Sequence, residues 1–270
     1  MKKFGFTLAE VLITLGIVGV VAALTAPALV QNAGSAQVGP KLAKAVNTFE
    51  VANENMLNDT GAATVVASGA TSGSYASPAV NYIDNLSNYM KINYTDESNV
   101  SSKYVDLIKD YNGADISDII SQKVNVGKFN FISLSYNSIK IADAAKKIGL
   151  SKEGMIYGIS LEQEFLDDIR QQQANGRQDL VIRQANLITG STAHKKQIGT
   201  LIVDINGYAK PNRLGKDLFA FALMADGSLT PVGQGGAWNN GNSLCNETTV
   251  TRGETCTASI FENNLKVIYQ

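Results

Sequence analysis

The sequence predicts an α+β protein in which a long N-terminal helix packs on an antiparallel β-sheet. Three observations predict this class. The chain opens with an apolar run from Phe6 to Val30, and apolar residues then recur at helical spacing from Lys41 to about Asn58. The second half contains short β-rich stretches separated by turn residues, which is typical of antiparallel strands.

Composition narrows the classes of function. The 270 residues are 44% hydrophobic and 17% charged, so the chain can bury a core and is not a disordered tail. A net charge of −1 gives no electrostatic case for a nucleic-acid site. One histidine, His194, and two cysteines are too few for the common structural zinc sites. A Ser-His-Asp triad would need His194, and we predict that the protein is not an enzyme.

The apolar run is long enough to cross a membrane. As a helix it measures roughly 37 Å, against a hydrocarbon core of about 30 Å. Lys2 and Lys3 precede it, and no Lys or Arg follows until Lys41. This asymmetry predicts a single span with a cytoplasmic N-terminus and an extracytoplasmic globular domain. The polar residues within the run are Thr7, Glu10, Thr14 and Thr25.

Two ordinary interpretations of this segment are a secretory signal peptide and a plain membrane anchor. The run exceeds the usual 7–15 apolar residues of a signal peptide. Neither interpretation explains Glu10, because a carboxylate within a span costs roughly 2.5–3.5 kcal/mol and is expected to have a partner.

The residues Gly5-Phe-Thr-Leu-Ala-Glu10, between a basic leader and the apolar run, resemble the processing site of type IV prepilins and type II secretion pseudopilins. The resemblance implies that residues 1–5 are a leader peptide and that residues 6–30 are a transmembrane and assembly helix of a pilin-like fold. It also implies that a prepilin peptidase and methyltransferase cuts between Gly5 and Phe6 and methylates the Phe6 amine.

The same resemblance gives roles to Glu10 and Pro27. The Glu10 carboxylate is expected to pair with the Phe6 amine of an adjacent subunit and so to set subunit register. The alternative is a carboxylate that stays solvated at the headgroup level. Pro27 matches the proline at which pilin helices bend, and its missing backbone donor is expected to bend or loosen the helix. The implied partners are other pilin or pseudopilin subunits, an inner-membrane assembly platform and the membrane.

Residues 31–58 are predicted to continue the stalk as an amphipathic helix, although Gly34 and Gly39-Pro40 leave its continuity open. Its stripe is Leu42, Val46, Phe49, Asn53, Met56 and Leu57. Residues 59–125, rich in small polar residues, are interpreted as an inserted loop and helical region with weak helices at 82–90 and 100–111.

Residues 126–270 are predicted to form the antiparallel sheet domain, with strands at 128–134, 154–161, 198–205 and 217–223 and a short helix at 139–148. One stretch, from Val203 to Pro231, resembles the sheet region of pseudopilins, in which a nearby loop holds calcium. Asp204, Asn206 and Asp217 carry oxygen donors suited to Ca²⁺. Ordinary turn chemistry at Asn206-Gly207 is the alternative. Apart from calcium, no cofactor is expected.

Cys245 and Cys256 lie near the C-terminus, in a domain that the span places outside the cytoplasm. In an oxidising compartment they are expected to pair, and closing this loop would stabilise the fold by roughly 2–3 kcal/mol. Two free thiols are the alternative. The position matches the C-terminal disulfide loop of many pilins.

These features predict a pilin-like structural subunit that is processed, held in the inner membrane and polymerised into a type IV pilus or a type II secretion pseudopilus. The features are common to pili, competence filaments and secretion pseudopili. The alternative function is a secreted or anchored extracellular binding or adhesin domain that does not polymerise.

Overall fold

The computed structural model describes residues 7–72, 78–94, 102–116, 148–161, 197–234 and 252–269, with short pieces at 166, 170–171, 174–175, 187–188, 193–194 and 245–246.

Helix α1 is continuous from Leu8 to Thr60, a length of 53 residues. Thr7 caps its start, and Gly61 ends it in the left-handed conformation, with its N–H donating to the carbonyl of Asn58 at 3.2 Å. Pro27, Gly34 and Gly39-Pro40 all lie inside the helix. Each proline removes one backbone hydrogen bond, and the turns on either side keep the helical path.

The described strands form a six-stranded sheet in which every neighbouring pair is antiparallel, which confirms the α+β class. Its spatial order is β1 (Ile92–Tyr94), β2 (Ile148–Ser151), β3 (Ile156–Leu161), β6 (Gln197–Asp204), β7 (Leu218–Met224) and β8 (Leu229–Pro231). A separate two-stranded pair is made by β4 (Leu187–Ile188) and β5 (Ala193–His194). The remaining described helices are α2 (Pro78–Leu86), α3 (Ser102–Leu107) and α4 (Cys256–Glu262).

The sheet begins earlier in the chain than the sequence indicates. Strand β1 lies within residues 59–125, and its Ile92 pairs with Ser151 of β2. A three-residue edge strand has too few positions to show a period, so only the pairing identifies it. The segments at 128–134 and 139–147 lie outside the described residues, and Ile148 opens β2.

Both faces of the sheet are buried. On β7, Phe219, Phe221 and Leu223 join the core beneath α1, whereas the alternate residues face a second core with Tyr104. This alternation follows from the two-residue period of a strand. The buried stripe of α1 is Leu42, Ala45, Val46, Phe49, Ala52, Asn53 and Met56, which agrees with the helical spacing in the sequence.

Asn53 is the polar member of that stripe and fixes the register of α1 on the sheet. It is 1% exposed, and its amide nitrogen donates to the carbonyls of Phe49 at 3.1 Å and Gly227 at 3.3 Å. Its amide oxygen accepts the Tyr82 hydroxyl. One side chain therefore joins α1, α2 and the β7–β8 turn.

Residues 263–269 form a segment, here called the C-terminal strap, that crosses α1 at Gly39. A Cβ on Gly39 would lie 1.7 Å from the carbonyl oxygen of Leu265, so only glycine allows this approach. Asn264 and Leu265 both adopt positive φ, at 53° and 62°. The strap ends with the Tyr269 hydroxyl donating to the carbonyl of Gly215 at 2.7 Å.

Candidate functional site

The start of α1 is organised by a reciprocal hydrogen-bond pair between Thr7 and Glu10. The Thr7 hydroxyl oxygen accepts the Glu10 backbone N–H at 3.3 Å. Glu10 Oε2 accepts both the Thr7 backbone N–H and its hydroxyl, each at 2.8 Å. This capping box satisfies helix N–H groups that have no partner within the helix.

The capping box directs the Glu10 carboxylate toward the end of the helix at which the expected cleavage falls. Thr7 follows Phe6 directly, so a Phe6 amine would lie one residue from the amide that Glu10 already binds. Gly5 and Phe6 lie outside the described residues, and the pairing of Glu10 with a Phe6 amine stays a prediction. The sequence indicated the carboxylate but not Thr7, although Thr-x-x-Glu before an apolar run is the signature of a capping box.

The first turns of α1 present a continuous apolar surface. The segment Leu8–Thr25 is exposed along its whole length, and it is long and apolar enough to cross a membrane. Its large exposed side chains are Leu8, Val11, Leu12, Ile13, Leu15, Ile17, Val18, Val20, Val21 and Leu24. An exposed apolar surface of this size indicates burial in lipid or against other proteins.

The two threonines inside this segment satisfy their hydroxyls within the helix. Thr14 donates to the carbonyl of Glu10 and Thr25 donates to the carbonyl of Val21, each at 2.8 Å. These bonds remove the need for water and so suit a helix in lipid. Pro27 follows this segment within α1, and its side chain lies outside the described residues.

The β6–β7 loop, residues 205–217, brings together the three oxygen-bearing residues that the sequence singled out. Asp204 Oδ2 accepts the Tyr104 hydroxyl at 2.7 Å, and its Oδ1 accepts the Asn206 backbone N–H at 3.1 Å. Asp217 accepts the backbone N–H of Asn212 at 2.8 Å and that of Arg213 at 2.6 Å. Burial raises the pKa of Asp204 to about 7, with the nearby Asp217 charge acting in the same direction.

The carboxylate oxygens of this cluster accept hydrogen bonds from donors of the protein itself, whereas the buried Oδ1 of Asn206 has no hydrogen-bond partner within the described part of the chain. Asn212 is 1% exposed and was missed by the sequence analysis. With its amide turned so that the nitrogen faces these acceptors, it donates to Asp204 Oδ2 at 3.1 Å and to the carbonyl of Gly207 at 2.8 Å. Burial also raises the pKa of Asp217. Among the described residues, no group of three or more His, Cys, Asp or Glu side chains is placed to hold a metal. The arrangement is that of a loop held by its own hydrogen bonds, and calcium binding stays a prediction.

Cys245 and Cys256 form a disulfide with Cα atoms 4.8 Å apart. Both are buried, at 1% and 0% exposure, and Cys256 begins α4. Gly215 packs on this bond, since an added Cβ there would lie 2.7 Å from Cys256 Sγ. The disulfide therefore lies beside Gly215, whose carbonyl accepts the Tyr269 hydroxyl of the C-terminal strap.

His194 lies in β5, paired with Leu187. Its side chain lies outside the described residues, and its lack of a catalytic role stays a prediction.

Residues 1–26 match the family model of the prokaryotic N-terminal methylation motif, the cleavage and methylation segment of type IV pilins and pseudopilins. No curated protein and no solved structure matches the chain. The motif supports a pilin-like or pseudopilin-like precursor anchored by its N-terminal helix. It points to a structural subunit processed by prepilin peptidase and associated with other pilins.

Proposed function

We propose that the chain is cut between Gly5 and Phe6, methylated at Phe6, held in the inner membrane by α1 with its N-terminus in the cytoplasm, and then polymerised into a pilus or pseudopilus. The observation that carries this proposal is the Thr7–Glu10 capping box at the head of an exposed apolar helix. A carboxylate at that place is costly in lipid unless a cation is provided for it.

Cleavage provides such a cation. Removing residues 1–5 creates an ammonium at Phe6, and methylation of the amine keeps its charge. In the single chain, Thr7 supplies two hydrogen bonds to Glu10 Oε2, but both donors are neutral. An ammonium from a neighbouring chain supplies the missing charge, and a charge-assisted bond in low dielectric is strong. The assembly step is thereby favoured at one axial position, since other positions leave the carboxylate without that charge.

The exposed surface of Leu8–Thr25 supports burial first in lipid and then among neighbouring helices. No residue of the described domain covers this segment, which is wholly exposed in the single chain. Its small residues include Gly16 and Gly19, where an added Cβ would meet nothing within 4 Å. Small residues allow helices to approach closely in the membrane.

Mass spectrometry of the mature chain tests the proposal. We expect an N-terminal peptide that begins at N-methylated Phe6. A Gly5→Leu variant should keep the leader, because a side chain before the cut obstructs the approach of a peptidase to the backbone. A mature chain that begins beyond Ala26 would indicate a removed signal peptide, and the proposal would then be wrong.

A further inference from the structure

The end of the globular domain from which α1 emerges toward its apolar half is here called the near end. It consists of the β2–β3 turn, the β6–β7 loop, the C-terminal strap and the adjoining part of α1. Three contacts place these parts together: Gly39 with the carbonyl of Leu265, Lys44 Nζ with Glu153 Oε1 at 2.7 Å, and the Tyr269 hydroxyl with the carbonyl of Gly215. The Asn53–Gly227 contact lies at the opposite end of the domain.

The near end carries an excess of cations without carboxylate partners. Arg213 and Lys216 are half-buried beside Tyr111, with Lys216 Nζ 4.5 Å from the ring centroid. Burial and the Arg213 charge lower the pKa of Lys216, and the nearby Asp217 charge opposes this shift. The two cations therefore repel each other, and Asp217 offsets part of that repulsion. Neither forms an ion pair with a described carboxylate. The same is true of five exposed lysines, Lys41, Lys91, Lys152, Lys210 and Lys266. These seven residues are here called the basic rim.

The carboxylates of the near end neutralise only part of this rim. Asp204 and Asp217 are buried and accept hydrogen bonds from within the domain. The exposed Glu153 and Asp115 are each paired with a lysine outside the rim, Lys44 and Lys109. Asp106 and Glu262 are exposed and Glu254 is half-buried, and none of the three forms an ion pair among the described residues. Three such charges against seven cations leave the rim with an excess of positive charge.

The length of α1 sets the height of the rim above the membrane. The apolar run ends at Val30, and the domain first covers α1 at Gly39. Nine residues of helix rise about 13 Å. The polar headgroup layer takes up roughly 5–7 Å of that distance. The near end therefore lies about 7 Å from the headgroups, within the Debye length of about 8 Å at physiological ionic strength.

We propose that, before assembly, the basic rim docks the globular domain on anionic lipid headgroups of the extracytoplasmic leaflet. This inference rests on the proposed membrane span. Two arguments favour lipid over another partner. The helix α1 holds the rim about 7 Å from the headgroups, and anionic headgroups complement the positive charge of the rim. Leaving the membrane during assembly then requires these contacts to break, so the charge of the leaflet regulates release of the subunit.

The test uses the full chain in vesicles of phosphatidylcholine, with or without phosphatidylglycerol, and follows amide hydrogen exchange in residues 205–217. We expect exchange to be slower on the anionic vesicles, by about fivefold for each docked lysine. Raising the salt to roughly 0.5 M should abolish the difference, because the Debye length then falls to about 4 Å.

A pair of charge-matched variants separates the rim from net charge. K210Q/K266Q removes two positive charges from the rim and should reduce the slowing by about fivefold for each lysine removed. N55D/N58D makes the same change in net charge at exposed positions of α1 near its far end, and should keep it.

Three outcomes would overturn the inference. Equal exchange on both vesicles by a chain that sediments with them leaves the span intact and removes only the lipid contact. Slowing on neutral vesicles that grows with protein density identifies a second copy as the occupant. Failure to sediment with either vesicle after an alkaline wash overturns the span, and the inference with it.

Discussion

At the scale of single residues, Asp204 is the most constrained ionisable group of the described domain. It is 0% exposed and is held by the Tyr104 hydroxyl, the Asn206 N–H and the Asn212 amide. Burial disfavours its charged form, and the hydrogen bonds recover only part of that cost. The residue therefore ties the β6–β7 loop to α3 in a way that depends on its proton.

Stability is expected to fall as pH rises through this titration. The pKa of Asp204 is raised to about 7 in the folded chain from an ordinary value of 3.8, so the folded state retains a proton that the unfolded state has lost. Between about pH 4 and 7 the free energy of unfolding should drop by roughly 2–4 kcal/mol. Urea unfolding of the full chain in detergent, at pH 5 and pH 8, measures this difference.

The variant D204N should show a smaller pH difference than the wild type, because its side chain cannot ionise. D59N, at an exposed aspartate, should keep the wild-type difference. An unchanged difference in D204N would show that Asp204 does not titrate as described.

At the scale of elements, the contact between α1 and the C-terminal strap depends on one glycine. Gly39 lies inside a helix, where glycine costs up to about 1 kcal/mol relative to alanine. The Leu265 carbonyl occupies the position that a Cβ on residue 39 would take. Glycine is therefore needed at this position for the strap to cross the helix, although it lowers helix stability. The strap then reaches Gly215, beside the Cys245–Cys256 disulfide.

Two alanine substitutions in the same helix should therefore act in opposite directions. G39A forces the strap away from α1 and should lower the free energy of unfolding by roughly 1–3 kcal/mol. G34A meets nothing within 4 Å and should raise it by up to about 1 kcal/mol. Chemical denaturation of both variants measures the difference, and a stabilised G39A would refute the close approach.

At the scale of the whole molecule, α1 belongs to two environments. Its first turns are fully exposed and apolar, whereas residues from Leu42 to Met56 lie in the core of the domain. A continuous helix connects the two, so the position of the membrane segment sets the height of the domain. In the proposed filament this exposed half is buried against other chains, and Glu10 is the charged side chain within Leu8–Thr25.

The variant E10Q should reduce filaments to a small fraction of the wild-type amount. Glutamine keeps the size of the side chain and one acceptor oxygen but carries no charge, so it cannot neutralise an ammonium. Immunoblotting of sheared filaments, normalised to the membrane-bound subunit, measures the loss. E54Q changes an exposed glutamate of the same helix and should assemble normally. Normal filament amounts in E10Q would show that the carboxylate has no role in register.

The sequence alone determined those features of this protein that are encoded by residues close together in the chain. The apolar run, the buried stripe from Leu42 to Met56, the α+β class and strands β3, β6 and β7 each follow from the spacing of apolar residues. The methylation motif is likewise a run of adjacent residues. These features need no distant partner to be recognised.

Tertiary structure decided what depends on residues far apart in sequence. From the sequence, Gly39 indicates a break in the helix, and only the structure shows that it makes room for the carbonyl of Leu265. Likewise, β1 was assigned to a loop region, and its pairing with β2 identifies it as a strand. The hydrogen bonds of Asp204 and Asp217 with the Tyr104 hydroxyl and the N–H groups of Asn212 and Arg213 were visible only in the tertiary structure, and calcium binding there stays a prediction. The lysines of the rim are scattered from 41 to 266. They meet at one end because α1, the β2–β3 turn, the β6–β7 loop and the C-terminal strap come together there.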